Sequence, residues 1–212
     1  MNIASRLRSA RVLAVVTIDE LASVAPLVDA LTRGGIGAVE LALRTPVSHE
    51  ALREFRRLAP AMLLGAGTVL TCEQADAVKA AGADFALAPG FDAGVARHCR
   101  DIGLPFVPGV ATATDIQAAL ALDYHCLKFF PAEPLGGLRG LRTLASPFVH
   151  LGVCFVPLGG ISAETCRPYL ADPLIAAVGG SWIAPKELLQ KHAWSEIAVR
   201  AATAVQVAFL SP

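Results

Sequence analysis

Charged residues are scarce in this sequence. Only 17% of its 212 residues are Asp, Glu, Lys or Arg, against roughly 25% in an ordinary soluble domain, and the 18 basic residues equal the 18 acidic ones. No basic patch or arm stands out, so nucleic acid and anionic membrane are not expected as partners. The hydrophobic fraction of 54% suffices for a sizeable buried core.

Paired cysteines and metal-binding motifs are also missing. The five cysteines are odd in number and form no C-x-x-C pair. This argues against a zinc ribbon or a disulfide framework and predicts that the protein is located in the reducing cytoplasm. The five histidines are scattered, so we expect no metal and disfavour a metal-dependent enzyme. The glycine stretch GAGTVL at Gly65 lacks the third glycine and the acidic partner of a dinucleotide site, so NAD is not expected. We predict no cofactor.

Long uninterrupted apolar segments are absent. Residues Val12–Ile18 follow three arginines as a short signal peptide would, but the run has only seven residues and Asp19 follows at once. The 21 residues Thr143–Ala163 contain no Asp, Glu, Lys or Arg. Prolines and glycines interrupt them, which favours a loop and a buried strand over a membrane span.

Short apolar runs recur every 20 to 30 residues. Because the runs are continuous and do not alternate with polar residues, they are typical of strands buried on both faces of a parallel sheet. They begin at Val12, Ala38, Met62, Phe85, Pro105, His125, Cys154 and Ile175.

The segments between the runs have helical features. Capping-box patterns at Thr71 and Thr114 predict two helix starts, and Asp92 and Ser162 are predicted N-caps of two others. The last helix is predicted from about Ser195 to Phe209. The segment after the first run places one apolar face on a helix, at Leu21, Val24, Val28 and Leu31.

Eight strand-then-helix units without a linker predict one α/β domain, residues 1–212, folded as a single (β/α)8 TIM barrel. An open doubly wound sheet is the alternative. In a barrel, the reactive groups lie at the C-terminal ends of the strands and in the loops that follow.

Three charged residues lie in apolar strands near those ends: Glu40, Arg44 and Lys128. Taken singly, Glu40 and Arg44 could form a structural ion pair, and Lys128 could extend its ammonium to solvent at the barrel mouth. Together they favour a reactive site. An apolar pocket favours the neutral form of an amine, which can attack a ketone and form a Schiff base. Glu40 would move protons, and Arg44 with Thr68 would hold the carboxylate of a 2-keto acid.

Two glycine clusters predict a second part of the site. Gly159-Gly160 and Gly179-Gly180-Ser181 follow the last two strands, where barrels bind phosphate through backbone N–H groups. Tight turns alone would explain one cluster, but the occurrence of both favours a phosphate.

The blocks GIGAVELALRTP, GAGTVL, PGVATATD, LKFFPAE, PLGGIS and VGGSW resemble those of the 2-keto-3-deoxy-6-phosphogluconate (KDPG) aldolases. This class I aldolase family also includes the 4-hydroxy-2-oxoglutarate (KHG) aldolases. The resemblance extends from about Val12 to Trp182. It implies a (β/α)8 barrel, a homotrimer and a lyase that needs no metal.

The resemblance also implies roles for individual residues. Lys128 corresponds to the Schiff-base lysine and Glu40 to the proton-transferring glutamate. The implied substrate-binding residues are Arg44, Thr68, Pro89, Phe130, Leu158, Gly159, Gly160, Gly180 and Ser181.

Three positions depart from the family pattern. The family usually has threonine at Leu158 and at Ala42, and serine at Ala88. The expected reaction is cleavage of KDPG to pyruvate and glyceraldehyde 3-phosphate. The alternatives are KHG, or the galactonate epimer of KDPG, as substrate. A non-catalytic barrel that binds a phosphorylated metabolite is the alternative from another class.

Overall fold

The computed structural model describes residues 2–210 of the chain, and in them the predicted apolar runs form short parallel strands. Each strand ends before the C-terminal end of its apolar run, where the chain enters a loop. The strands are β1 (Val12–Val16), β2 (Ala38–Ala42), β3 (Leu63–Gly67), β4 (Phe85–Leu87), β5 (Phe106–Val107), β6 (Gly109–Val110), β7 (Cys126–Phe129), β8 (Cys154–Pro157) and β9 (Val178–Gly180).

The strands form a ring. Six pair in the order β5-β4-β3-β2-β1-β9 and three in the order β6-β7-β8. Pro108 alone separates β5 from β6, so the two make one barrel position. A parallel bridge from Phe155 to Ile175 joins β8 to the segment that leads into β9. The predicted (β/α)8 barrel is confirmed, and the open doubly wound alternative is wrong because β9 pairs with β1.

The first helix precedes β1, and the later helices follow strands and surround the ring. The helices are α1 (Ile3–Ala10), α2 (Val24–Arg33), α3 (Ser48–Leu58), α4 (Cys72–Ala80), α5 (Ala93–Asp101), α6 (Ala113–Leu120), α7 (Gly137–Ala145), α8 (Cys166–Leu170), α9 (Lys186–Gln190) and α10 (Trp194–Leu210), with 3-10 turns at Leu21–Ser23 and Ser146–Leu151. None of the helices within residues 2–210 combines the length and apolarity that a membrane span needs.

The core has two layers, because successive strand residues face opposite sides of the sheet. Val39 and Leu41 point outward and pack with the helices. Leu13 and Phe85 point inward and fill the barrel, and Leu7 of α1 packs against them. The inward side of each strand therefore determines what the barrel mouth presents.

The helix starts are partly as predicted. Thr71 and Asp92 cap α4 and α5 with their side chains. The prediction at Thr114 is wrong. The N-cap of α6 is Thr112, two residues before Thr114, and it forms the capping box with Asp115.

The predicted N-cap at Ser162 is also wrong. Thr165 stands at the N-cap of α8, and the Ser162 backbone N–H donates to Thr165 Oγ1 at 2.9 Å in the turn before the helix. The predicted domain bounds, residues 1 and 212, lie outside the described residues, so the single-domain assignment stays a prediction.

Asp84 connects α1, α3 and β3 at the end of the barrel opposite the C-terminal ends of the strands. One carboxylate oxygen accepts a bond from Arg6 of α1 at 3.1 Å, and the other accepts from Arg56 of α3 and from the Leu64 N–H of β3. Burial raises the pKa of Asp84, but the Leu64 N–H and the two arginines outweigh it and hold the pKa below its ordinary value. The ionised carboxylate therefore stabilises the fold.

We expect Asp84→Asn to lower the free energy of unfolding at pH 7 by about 1–3 kcal/mol, because charged hydrogen-bond partners are left unmatched. The folded-state pKa lies below the unfolded value of about 3.9, so the stabilisation is complete above that value and is lost as the pH falls through the folded-state pKa. Urea unfolding at pH 7 and at acid pH measures both effects. Asp101→Asn, at the exposed end of α5, is the matched control; an equal loss in both variants would contradict the assignment.

Candidate active site

A lysine and a glutamate meet inside the barrel mouth. Lys128 of β7 and Glu40 of β2 both point inward, and Lys128 Nζ donates to Glu40 Oε1 at 3.0 Å. Lys128 is 4% exposed and Glu40 is 1% exposed. The interpretation of Lys128 as a lysine that reaches solvent is therefore wrong, and Glu40 pairs with Lys128 instead of Arg44.

The second oxygen of Glu40 is free for a substrate. Oε2 is buried and has no hydrogen-bond partner among the described residues. Buried polar atoms are normally paired, and leaving one unpaired is costly. A hydroxyl or proton brought by a substrate would satisfy this oxygen, so Glu40 can hold Lys128 with one oxygen and act on a ligand with the other.

A glycine in the neighbouring strand makes room for that carboxylate. A Cβ atom at Gly67 would lie 2.0 Å from Glu40 Oε1 and 2.7 Å from its carboxyl carbon, far inside a normal contact. Gly67 stands at the C-terminal end of β3, beside β2. The third strand therefore ends in glycine so that Glu40 can extend toward Lys128.

The pair opens into a cavity of about 380 Å³. It contains eight of the predicted site residues, namely Glu40, Arg44, Lys128, Phe130, Leu158, Gly159, Gly180 and Ser181. The Phe130 ring centre lies 5.4 Å from Lys128 Nζ, close enough for a cation–π contact when the amine is charged. The predicted lysine, glutamate and glycine clusters thus share one space.

Thr68 belongs to the same site through Arg44. Arg44 Nε donates to Thr68 Oγ1 at 3.4 Å, and Thr68 has a left-handed backbone, with φ of 64°. Such a conformation is unfavourable for a β-branched residue and occurs at functional sites. The threonine hydroxyl and the guanidinium are therefore held side by side near the ends of β2 and β3.

Three predicted residues lie outside the cavity lining: Thr68, which contacts the site through Arg44, and Pro89 and Gly160. Pro89 lines a different, more apolar hollow with Leu70 and Phe91. Gly160 is exposed and has φ of 82°, and a Cβ there would lie 2.7 Å from Glu133 Cβ. Gly160 shapes the turn after β8, whereas Gly159 faces the cavity.

Several lining residues were not predicted. Val15 and Thr17 come from the end of β1 and the loop after it, and Ala184, Pro185, Lys186 and Glu187 follow β9. The rule that barrel sites form at C-terminal strand ends could have indicated Thr17. Nothing in the local sequence distinguishes Lys186 from other exposed lysines.

The departures from the family pattern are buried. Leu158 lines the cavity and packs over β9, where a Cβ at Gly179 would lie 2.6 Å from Leu158 Cγ. Ala42 and Ala88 are buried at strand ends. Leu158 thus presents an apolar side chain to the cavity, where a threonine would present a hydroxyl.

Metal ligands are not grouped near the site. Within residues 2–210, no three His, Cys, Asp or Glu residues are arranged so as to hold a metal ion. The ionisable groups that line the cavity with Lys128 include the Glu40 carboxylate and the Arg44 guanidinium.

Known proteins match nearly the whole chain. A family model described as "KDPG and KHG aldolase" matches residues 3–199. The 2-dehydro-3-deoxy-phosphogluconate aldolase of Treponema pallidum is 41% identical over 207 residues, which cover 98% of each chain. The KHG/KDPG aldolase of Escherichia coli K12 is 34% identical over 206 residues, 97% of this chain and 96% of that protein.

A solved structure resembles the fold closely. The KDPG aldolase of Legionella pneumophila superposes with a TM-score of 0.91 at 37% identity, covering 96% of this chain and 98% of that one. That protein was captured with pyruvate as a covalent carbinolamine intermediate.

The fit of Gly67 against Glu40 can be tested by adding a methyl group. We expect Gly67→Ala to displace the Glu40 carboxylate and to lower kcat for aldol cleavage by about 10²-fold or more, the usual contribution of a positioned acid–base group. Gly37→Ala is the control, because its Cβ would make only an ordinary 3.8 Å contact with Ala10. Steady-state pyruvate release measures both variants, and an unchanged kcat in Gly67→Ala would contradict the inferred fit.

Proposed function

Because the chain belongs to the KDPG and KHG aldolase family, we propose that it reversibly cleaves KDPG to pyruvate and glyceraldehyde 3-phosphate through a Schiff base on Lys128. The family resemblance predicted from the sequence blocks is confirmed. The protein is accordingly a carbon–carbon lyase of the class I aldolase type. The observation that carries the assignment to Lys128 is its buried 3.0 Å contact with Glu40.

The first stage forms the Schiff base. Glu40 takes a proton from the Lys128 ammonium, and the neutral amine attacks the C2 ketone carbon to give a carbinolamine. Glu40 then returns a proton to the C2 hydroxyl, which leaves as water, and an iminium remains. The 3.0 Å separation of Lys128 Nζ and Glu40 Oε1 is short enough for the first of these transfers.

The second stage breaks the carbon–carbon bond. A carboxylate oxygen of Glu40 accepts the proton of the C4 hydroxyl, the C3–C4 bond breaks, and its electron pair moves into the iminium to give an enamine. Glyceraldehyde 3-phosphate leaves as the aldehyde. Protonation of C3 and hydrolysis of the iminium then release pyruvate and regenerate Lys128. The unpartnered Oε2 of Glu40 supports this role, since it is the oxygen that Lys128 does not occupy.

Two groups of residues suit the two charged groups of the substrate. Arg44 and Thr68, held together near the ends of β2 and β3, would bind the carboxylate beside the ketone. Gly159, Gly180 and Ser181 would bind the phosphate through N–H and hydroxyl donors. Their position in the same cavity as Lys128 supports these roles, and Pro89 and Gly160 have no comparable position.

Leu158 favours a second candidate substrate. An apolar side chain in the cavity wall offers no partner to a substrate hydroxyl, so KHG or the galactonate epimer of KDPG is the alternative substrate. The reaction class is the same for all three. The proposal of a non-catalytic metabolite-binding barrel is disfavoured, because both Lys128 and Glu40 are present and in contact.

The proposed assembly is inferred from the family resemblance, and the proposed location is inferred from the composition. We propose a homotrimer in the cytoplasm, and light scattering on the purified chain would test whether its mass is three times 22.1 kDa.

Reductive trapping tests the Schiff base. Borohydride added with pyruvate should reduce the iminium to a stable secondary amine, and peptide mass mapping should place the adduct on Lys128. Lys128→Ala should give neither the adduct nor cleavage, and circular dichroism checks that the variant is folded. An adduct on another lysine, or none in the wild-type protein, would overturn the proposed mechanism.

The role of Leu158 can be tested by restoring a hydroxyl. We expect Leu158→Thr to change the ratio of kcat/KM between the gluconate and galactonate epimers by about tenfold or more, as expected for one additional hydrogen bond to substrate. Leu158→Val is the matched control, since valine has the shape of threonine without its hydroxyl. If both variants shift the ratio equally, side-chain shape and not hydrogen bonding sets the preference.

A further inference from the structure

Lys186 is a cation in the cavity wall that the mechanism above does not use. It begins α9, five residues after Ser181, and it lines the same cavity as Gly180 and Ser181. Two other cations line the cavity. In the proposed mechanism Arg44 binds the substrate carboxylate and Lys128 attacks the ketone carbon. Lys186 therefore lines the same cavity as the residues assigned to the phosphate.

The charges around Lys186 show why a cation matters there. Glu187 also lines the cavity, and Asp19 lies in the loop after β1, where it pairs with Lys186. Without Lys186, Glu187 would be the charged side chain that α9 contributes to the cavity lining. A phosphate monoester carries nearly two negative charges near neutral pH, and the glycine N–H groups and the Ser181 hydroxyl supply only neutral donors.

The pairing of Lys186 leaves it available for a ligand. Its Nζ lies 2.8 Å from Asp19 Oδ2, and the side chains are 53% and 37% exposed. Exposed ion pairs of this kind contribute little to stability, because water competes for both charges. The long, flexible lysine side chain can therefore exchange the Asp19 carboxylate for a phosphate oxygen at small cost.

We propose that Lys186 is a specificity-determining residue that binds the distal phosphate of the substrate, and that Asp19 holds it in position in the empty site. This inference rests on the proposed aldolase function and deepens it. Neutral donors in the glycine clusters orient the phosphate, and Lys186 supplies the charge that distinguishes a phosphorylated substrate from an unphosphorylated one.

The condensation reaction separates phosphate recognition from carbon chemistry. Pyruvate is combined with either glyceraldehyde 3-phosphate or unphosphorylated glyceraldehyde. We expect Lys186→Met to raise KM for the phosphorylated aldehyde on the order of 10- to 100-fold, as for loss of a charged hydrogen bond, with little change in kcat or in the KM for glyceraldehyde. Lys186→Arg should restore most of the affinity. An equal change for both aldehydes, or none for the phosphorylated one, would overturn the proposal.

Lys191→Met is the matched control, because Lys191 is an exposed lysine directly after α9 that does not line the cavity. Its KM values should be those of the wild-type protein, and a change equal to that of Lys186→Met would reduce the effect to net charge. Calorimetric titration with inorganic phosphate gives a readout without turnover. If the wild-type protein condenses neither aldehyde with pyruvate, the aldolase proposal fails. The phosphate site is then judged by the titration alone: weaker phosphate binding by Lys186→Met than by the wild-type protein supports the site, and equal binding refutes it.

Discussion

The buried contact between Lys128 and Glu40 constrains the rest of the mouth of the barrel. Two ionisable groups removed from water are costly unless each satisfies the other, and here strands from opposite halves of the ring bring them to 3.0 Å. Gly67 is needed beside the carboxylate because any side chain there would collide with it. The closed ring is thus what makes a reactive lysine tolerable inside an apolar barrel.

The same cavity brings together groups that suit the two anionic ends of the proposed substrate. Arg44 lines the cavity and donates to Thr68, and the glycine turns after β8 and β9 also line it. A substrate with an anion at each end would lie across Lys128 with its carbonyl beside the amine. Fixing both ends is what converts binding into the alignment that a Schiff-base reaction needs.

The sequence predicted the strands well because a buried parallel strand is recognised by local composition alone. It also indicated Lys128, as a charged residue in an apolar strand near its C-terminal end. Leu127 and Phe129 pack outward against the helices, so the apolar residues on either side of Lys128 in the chain are not its neighbours inside the barrel. The partner of Lys128 is 88 residues away, and only the closed topology identifies it. The local capping rule chose the wrong residue at the start of α6, because Thr112 and Thr114 lie only two residues apart and either could cap the helix.

Leu158, which differs from the family pattern, is accommodated by the packing around the cavity. Leu158 occupies the space above β9, and Gly179 leaves that space open, since a Cβ there would overlap the leucine. A leucine in place of a threonine therefore needs no shift of the backbone, and the barrel keeps its shape while one wall of the cavity loses a polar group. In the proposed mechanism the bond-breaking chemistry depends on the Lys128–Glu40 pair, whereas substrate preference depends on the wall. Because the two sets of contacts are separate, substrate preference can change without loss of the reaction.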